Sequence, residues 1–221
     1  MDEGIFLAVD EYIKERVGLE DAVLREVKES CKRSSMPDAE ISANQGKFLQ
    51  ILARACGARR ILELGTSVGY SSIWLARALP SDGRLLSVEF DEGNYKIAVE
   101  NIRRAKLESV VELRRGKALD VLRDLLAEGE GGFDFVFIDA DKPPYLEYLE
   151  YSIELSRKGT IIVIDNVVRN GEVLNGNSED ERVRGVRRLN DHLKGRKEAD
   201  FTILQTVGGK SHDGMAVGIV N

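Results

Sequence analysis

The chain has 221 residues, enough to bury a substantial single core, and carries a formal net charge of −6. This acidic balance argues against a general nucleic-acid binder, because such proteins present basic faces. No apolar run reaches the roughly 18 to 20 residues of a membrane span, and the acidic start MDEGIFLAVD is unlike a signal peptide. We therefore expect a cytoplasmic protein with neither nucleic-acid nor membrane partners, in which Cys31 and Cys56 are reduced packing residues.

The first part of the chain is predicted to be helical. Apolar residues recur at helical spacing from Ile5 and again from Val23, and the segment MPD at 36–38 breaks this pattern. A third helix is predicted to end at Gly57, because glycine is a favoured residue just beyond a helix C-terminus. Its predicted inward side chains are Phe48, Ile51, Leu52 and Ala55.

From residue 59 onward, apolar strands alternate with helices. The five predicted strands are RRILELG, RLLSVEF, VVELRRG, FDFVFID and TIIVID. Strands that are apolar on both faces and separated by helices indicate a parallel sheet covered by helices. After a loop at 166–178 come a charged helix and two strands, FTILQTV and MAVGIV, which must pair antiparallel because their connection is short. The sequence predicts one α/β domain over 1–221, with a helical extension over 1–57.

A glycine turn follows the first predicted strand. Gly65 and Gly69 are spaced G-x-x-x-G, which lacks the G-x-G-x-x-G fingerprint of dinucleotide binding. Glu89 ends the second strand, where an acid commonly binds a ribose hydroxyl pair. An acid placed to bind ribose, without a glycine turn that binds a pyrophosphate, favours a nucleoside ligand such as S-adenosylmethionine. Glu63 would be available to the ammonium group of that ligand. The structural alternative is a plain turn beside an exposed Glu89, with Glu63 bonded to nearby backbone.

Two later strands end in acids. Asp139 follows the fourth strand and Asp165 the fifth, and the carboxyl ends of parallel strands share one edge of a sheet. With Asn166, they offer an all-oxygen set of ligands that suits Mg²⁺, and also Ca²⁺ or Mn²⁺. The alternative is structural: Asp139 would cap the next helix, and Asp165 and Asn166 would form a turn.

The stretch DADK adds two more polar side chains beside this edge. Asp141 is suited equally to capping the next helix and to touching a ligand. Lys142 stands at a predicted helix start, where the helix dipole disfavours a cation, so we interpret it as a general base rather than as a solvated lysine.

The chain resembles the cation-dependent O-methyltransferases that use S-adenosylmethionine, including the caffeoyl-coenzyme A and catechol enzymes and their small bacterial relatives. Seven blocks carry the resemblance, in order and spacing: ANQGKFLQIL, ILELGTSVGYSSIWLA, VEFD, GKAL, FIDADKPPY, VIDNVVRNG and DGMAVGI. It implies a Rossmann-like class I methyltransferase fold, with a seven-stranded, mostly parallel sheet, an antiparallel last strand and helices on both faces. It also implies a homodimer, and N-terminal helices that shape the acceptor pocket or the dimer interface.

The resemblance also implies roles for individual residues. Cofactor contacts would come from Ile41, Glu63, Gly65, Thr66, Ser71, Glu89, Ala118, Asp139 and Asp141. Asp139, Asp165 and Asn166 would bind the metal, Asp139 and Lys142 would be catalytic, and Asn170 would face the substrate. Arg169 departs from the plant members, which have a tryptophan there, and DADK lacks the aromatic residue of the catechol enzymes.

The expected activity is metal-dependent transfer of a methyl group from S-adenosylmethionine to a hydroxyl of a catechol-like, vicinal-dihydroxy aromatic acceptor. An N-methyltransferase is one alternative, suggested by KPPY at 142–145, although Lys142 stands where that motif needs an amide or acid. A nicotinamide-dependent oxidoreductase is a second, disfavoured by the glycine spacing. A non-catalytic cofactor- or metal-binding protein is the third.

Overall fold

The computed structural model describes residues 3–17, 20–32, 34, 40–209 and 211–221. The predicted break at 36–38 lies outside these ranges. Three helices come first: α1 Glu3–Val17, α2 Ala22–Cys31 and α3 Ala43–Ala55. Asp21 caps α2 by accepting a hydrogen bond from the Leu24 amide, and Ser42 forms a reciprocal capping box with Gln45 at the start of α3.

The rest of the chain forms the alternating pattern predicted from the sequence. The strands are β1 Arg60–Leu64, β2 Arg84–Glu89, β3 Val111–Arg115, β4 Phe133–Ile138, β5 Ser156–Asp165, β6 Ala199–Thr206 and β7 Asp213–Val220. The helices between them are α4 Tyr70–Ala76, α5 Glu92–Arg104, α6 Ala118–Ala127, α7 Tyr145–Glu154 and α8 Glu181–Leu193. The predicted loop at 166–178 contains a short 3₁₀ segment, Arg169–Leu174, which is interrupted by left-handed backbone at Asn170 and Gly171.

All seven strands form one sheet in the order β3-β2-β1-β4-β5-β7-β6. The pairs from β3 to β5 are parallel, whereas β7 runs antiparallel to both β5 and β6. The predicted Rossmann-like sheet with an antiparallel last strand is therefore confirmed. Ile138 pairs with Ile164 in the β4–β5 register, so the next residues, Asp139 and Asp165, leave adjacent strands at the same edge.

Successive strand residues enter two separate cores, one on each face of the sheet. Leu62 packs with residues of α6, α7 and α8, whereas its neighbour Ile61 packs with residues of α2, α3, α4 and α5. Helices thus cover both faces, as predicted, and the parallel strands need apolar side chains on both sides. No helix within the described ranges combines the length and apolar character needed to cross a bilayer, and Cys31 and Cys56 are not joined in a disulfide.

The predicted inward face of α3 is correct in part. Phe48 and Leu52 are partly buried and pack against the core on that face of the sheet, whereas Ile51 is 54% exposed and Ala55 is exposed. The face that packs inward consists of small and mixed residues: Ala43, Gly46, Leu49, Gln50 and Ala53. A side chain at Gly46 would come within 2.4 Å of the Trp74 ring, so the close approach of α4 selects the face with the least bulk.

The predicted end of α3 is confirmed. Cys56 is the C-terminal cap, and Gly57 follows with φ of 65°, the left-handed conformation that glycine adopts without steric cost.

Candidate active site

The turn between β1 and α4 requires glycine at its first position. Gly65 has φ of 96°, and a Cβ atom there would lie 2.0 Å from the main-chain oxygen of Asp139. The Gly65 and Thr66 amides donate to the Val88 carbonyl at 3.0 and 3.1 Å, which holds the turn against β2. The turn is therefore clamped between the ends of β2 and β4, next to the strand-end acids.

A cavity of about 1120 Å³ opens over this turn. Eight of the nine predicted cofactor residues line it: Ile41, Gly65, Thr66, Ser71, Glu89, Ala118, Asp139 and Asp141. The ninth, Glu63, is not in the lining. A nucleoside with an amino-acid tail is a ligand of the size that such a cavity accommodates.

Glu89 closes β2 at the wall of this larger cavity and is only 9% exposed. Its carboxylate accepts hydrogen bonds from the Ser67 amide at 2.7 Å and from the Asp91 amide at 2.8 Å. Burial raises the pKa of Glu89 above its ordinary value. The backbone thus holds this carboxylate in one orientation, and its bond to a ribose stays a prediction.

Glu63 lies behind the turn, fully buried. Its carboxylate accepts hydrogen bonds from the hydroxyls of Ser71, Ser72 and Ser87, the last at 2.6 Å. Burial raises the pKa of Glu63 to about 7. The partners are hydroxyls, not the nearby backbone of the structural alternative, and the contact of Glu63 with a cofactor ammonium stays a prediction.

Asp139 and Asp165 meet where β4 and β5 end. Asp165 is 3% exposed, and burial, followed by the negative charge of Asp139, raises its pKa well above the ordinary range. Gln45 on α3 donates to Asp165 at 3.3 Å. Asn166 follows with φ of 58°, a left-handed conformation that asparagine tolerates. Two carboxylates that repel each other beside an amide oxygen form a donor set that fits a hard divalent cation.

The structure does not support the capping alternatives for the DADK stretch. Helix α7 has Pro144 at its N-cap and no side-chain cap hydrogen bond. Asp139 instead accepts a hydrogen bond from Lys142 Nζ at 2.7 Å, and Asp141 accepts one from the Tyr148 hydroxyl.

Lys142 is not a solvated lysine. Its side chain is 12% exposed, lines the larger cavity and lies with Nζ 5.0 Å from the centre of the Tyr145 ring. Tyr145 is itself fully buried. The ammonium group is therefore held between a carboxylate and an aromatic face at the entrance to the strand-end acids.

A second, smaller cavity of about 670 Å³ lies on the other side of these acids. Asp139, Asp165, Asn166 and Asn170 line it. Asp139, Asn166 and Arg169 line both cavities, so the two spaces meet at the predicted metal ligands. Within the described ranges no cluster of three or more histidine, cysteine or acidic side chains could hold a metal. A cation here would depend on two carboxylates and one amide oxygen.

Several residues of this site escaped the sequence analysis. Asp213 accepts hydrogen bonds from the Val168, Arg169 and Gly214 amides and so fixes the loop after β5. Asp10, on α1, reaches the smaller cavity. Asp213 stands two residues before the predicted strand MAVGIV and is the first residue of β7, so an acid at a strand start was a visible signal. Nothing local marks Asp10, because its partners lie far away in the chain.

Two cavities that meet at Asp139 and Asn166, beside the buried Asp165, can bring a group on a nucleoside ligand to a second, polar ligand. Together with the order of the strands, this arrangement agrees with the Rossmann-like methyltransferase fold that the resemblance implied. A family model described as O-methyltransferase matches residues 14–216. A catechol O-methyltransferase from Niastella koreensis is 52% identical over 220 residues, covering all of both chains.

Solved structures agree with this match. An O-methyltransferase from Bacillus cereus in complex with SAH has a TM-score of 0.96 and 44% identity, covering all of both chains. The O-methyltransferase TomG from Streptomyces achromogenes, in complex with SAM, has a TM-score of 0.95 and 42% identity, covering 100% of this chain and 99% of that one. The chain therefore belongs to the O-methyltransferase family that its motifs predicted, and it is an S-adenosylmethionine-dependent enzyme. The oxidoreductase, N-methyltransferase and non-catalytic alternatives do not fit this family.

Proposed function

We propose that this enzyme methylates one hydroxyl of a catechol-type, vicinal-dihydroxy aromatic acceptor, held by a divalent cation at Asp139, Asp165 and Asn166. One observation carries the proposal: Asp139 and Asn166 stand where the cavity lined by the predicted cofactor residues meets a second, polar cavity, and Asp165 lines that second cavity beside them. The names of similar proteins, among them the catechol O-methyltransferase from Niastella koreensis, support the acceptor class.

The donor set favours Mg²⁺, with Ca²⁺ and Mn²⁺ as alternatives, because all its atoms are hard oxygens. A bound cation would chelate the two adjacent hydroxyls and lower the pKa of one of them. Asp165 is nearly inaccessible and is braced by Gln45, so its carboxylate has little freedom to turn away from the cation.

Lys142, in its neutral amine form, would accept the proton that the acceptor hydroxyl loses. Its Nζ atom lies 2.7 Å from Asp139, so the base and one predicted metal ligand are already in contact. The low exposure of the lysine side chain limits competition from bulk water for that proton. Asn170, in the lining of the smaller cavity, would contact the acceptor.

The larger cavity would hold S-adenosylmethionine, which supplies an electrophilic methyl group. Glu89 would bind its ribose hydroxyls, and the Gly65–Thr66 turn would lie against its amino-acid portion. Because the nucleophile and the sulfonium carry opposite charges, alignment of the two ligands across the junction contributes more than added electrostatic stabilisation.

The proposal is tested by methyl transfer from S-adenosylmethionine to a panel of small catechols and caffeoyl-coenzyme A. We expect turnover with Mg²⁺ and none above background with EDTA. Asp139→Ala should lower kcat by at least about 100-fold, because it removes both a metal ligand and the partner of Lys142. Asp124→Asn, on the exposed side of α6, is the control and should keep wild-type activity.

Calorimetric titration with Mn²⁺ gives a readout independent of turnover. Wild-type protein and Asp124→Asn should bind one cation, and Asp139→Ala should bind at least about tenfold more weakly. Undiminished turnover in EDTA would refute the metal-dependent mechanism. Turnover confined to acceptors with a single hydroxyl would refute the chelated catechol.

A further inference from the structure

Arg169 has a backbone conformation that few non-glycine residues adopt. Its φ is 55°, that of Asn170 is 56°, and Gly171 follows at 82°. Such a conformation costs a non-glycine residue on the order of 1 kcal/mol and persists only where surrounding contacts impose it. Here the Arg169 amide donates to Asp213 at 2.9 Å, and the Asn170 amide donates to the His212 carbonyl at 2.9 Å. These contacts fix the backbone of Arg169 and therefore the position from which its side chain extends.

Within the described part of the chain, the guanidinium group of Arg169 makes no hydrogen bond or ion pair, and its Nε atom is fully buried without a partner. Its charge lies near enough to Asp180 to help lower the pKa of that carboxyl, but Asp180 is ion-paired with Arg182. The other two arginines in the cavity linings are paired: Arg182 with Asp180 at 2.7 Å and Arg123 with Asp120 at 2.8 Å. A partly buried guanidinium with free donors is suited to a carboxylate, which matches it with two parallel hydrogen bonds.

The acids near Arg169 do not make the smaller cavity a site for a cationic ligand. Asp213 accepts three backbone amides, Asp10 accepts from Asn44 and Gly209, and Asp180 is paired with Arg182. Glu40 also has an interaction partner.

Asp139 and Asp165 are the proposed metal ligands, and a divalent cation would neutralise them. Among the acids of this lining, Glu172 is then the one for which the described ranges show no partner, and its side chain is exposed to solvent. Arg169 is more buried than Glu172, so the better-buried charge without an ion pair is positive.

We propose that Arg169 binds a carboxylate on the acceptor, so that the preferred substrates are catechol-type aromatic acids. Arg169 lines both cavities and lies three residues after Asn166. An aromatic ring held at the metal ligands by its hydroxyls can direct an acidic substituent to this guanidinium. This inference rests on the proposed function and adds to it the charge of the acceptor.

The test compares acids with their methyl esters. The pairs are 3,4-dihydroxybenzoate and 3,4-dihydroxycinnamate, each with its ester, assayed with Mg²⁺ and S-adenosylmethionine. Wild-type enzyme should favour each acid by about tenfold or more in kcat/KM. Arg169→Gln should lose about 10- to 100-fold on the acids, mainly through KM, because a charged hydrogen bond is lost. It should keep activity on the esters within about twofold.

Two further variants sharpen the test. Arg169→Lys should fall between wild type and Arg169→Gln on the acids, because an ammonium lacks the planar fork. Arg123→Gln, which removes a paired arginine from the larger cavity, should leave the preference for acids unchanged. Activity of every variant on the esters shows that its fold is intact.

Three results would overturn the assignment of Arg169. The first is an equal loss on acids and esters. The second is a Kd for S-adenosylmethionine raised at least tenfold by Arg169→Gln, measured by calorimetry, which would assign the arginine to the cofactor carboxylate. The third is that wild-type enzyme prefers 3,4-dihydroxyphenethylamine to the acids, and that Glu172→Gln abolishes this preference. Failure of the wild-type enzyme on every catechol would instead overturn the proposed function itself.

Discussion

At the level of single residues, the turn after β1 shows why glycine is required where the cofactor cavity begins. Gly65 combines a positive φ with a distance at which a Cβ atom would overlap the main chain of Asp139. Any other side chain would separate the ends of β1 and β4. Gly69 also has a positive φ, but a Cβ atom there would meet only ordinary contacts, 3.6 Å and beyond. The first glycine is therefore the more constrained of the two.

Glu63 gives a prediction about stability and pH. Its pKa in the folded protein is about 7, against 4.5 for an ordinary glutamate, so the folded state binds the proton more tightly than the unfolded state does. Stability linked to this group is present below pH 4.5 and is lost as the pH rises to 7. The free energy of unfolding falls by about 3 kcal/mol over this pH range. Glu63→Gln should therefore gain stability relative to wild type between pH 5 and pH 8.

Urea unfolding at pH 5 and pH 8, in EDTA, measures this difference. Glu130→Gln is a control of opposite sign, because its hydrogen bond with Arg60 lowers the pKa of Glu130. That variant should be less stable than wild type by a similar amount at pH 8 and pH 5, because the deficit shrinks only as the pH falls below 4.5. Parallel pH profiles for Glu63→Gln and wild type would show that Glu63 is ionised in the folded protein at both pH values.

At the level of secondary-structure elements, Asp10 links α1 to the β6–β7 hairpin. Asp10 accepts a hydrogen bond from Asn44 Nδ2 at 3.1 Å and another from the Gly209 amide at 2.7 Å. A Cβ atom at Gly208 would come within 2.4 Å of the same carboxylate, so the hairpin needs glycine there to approach α1. The first helix thereby becomes one wall of the smaller cavity.

Asp10→Ala should loosen α1 without unfolding the sheet. Hydrogen exchange over residues 3–17 should speed up by about tenfold, because two hydrogen bonds to a charged group are lost, whereas exchange in β1 and β4 should not change. The KM for the acceptor should rise while the Kd for S-adenosylmethionine stays constant. Asp10→Asn retains one accepting oxygen and should show a smaller effect. Unchanged exchange in α1 would mean that other contacts hold the helix.

The exposure of Ile51 and Ala55, which were predicted to face inward on α3, has a general cause. The helix carries apolar residues on two sides, and hydrophobic periodicity cannot decide between them. The choice was made by the close contact of Gly46 with Trp74 on α4, a residue 28 positions away. The larger apolar side chain of Ile51 was left 54% exposed.

At the level of the whole molecule, exposed apolar residues bear on the predicted homodimer. On α1, Ile5, Leu7 and Val9 are each half exposed or more, and Ile51 on α3 has a similar exposure. Apolar surface of this kind is typical of an interface between subunits. The homodimer stays a prediction, and the surface presented by α1 and α3 is where we expect it to form.

Light scattering after size-exclusion chromatography tests this expectation. One chain has a mass of 24.6 kDa, and wild-type protein should elute with twice that mass. Val9→Glu should shift the mass toward that of one chain, because it places a charge in an apolar contact. Leu174→Glu, at an isolated side chain that is 88% exposed, is the control and should leave the mass unchanged. A wild-type mass of 24.6 kDa would refute the dimer.

The sequence by itself determined the parts of this protein that depend on local order. Alternating apolar strands and amphipathic helices specify the parallel sheet, and a parallel sheet brings the ends of its strands to one edge. The glycine turn, Glu89, Asp139, Asp165 and Asn166 could therefore be predicted without coordinates. Seven motif blocks identified the family, because their order and spacing along the chain are also properties of the sequence.

Only the tertiary structure decided which distant residues meet these groups. The hydroxyl partners of Glu63, the attachment of Asp10 to the hairpin and the unpaired guanidinium of Arg169 all depend on contacts between elements far apart in the chain. A sequence pattern records the spacing of residues along one element, but it does not record the distance between two elements. Burial and charge pairing, which set the chemistry of these side chains, follow from that distance.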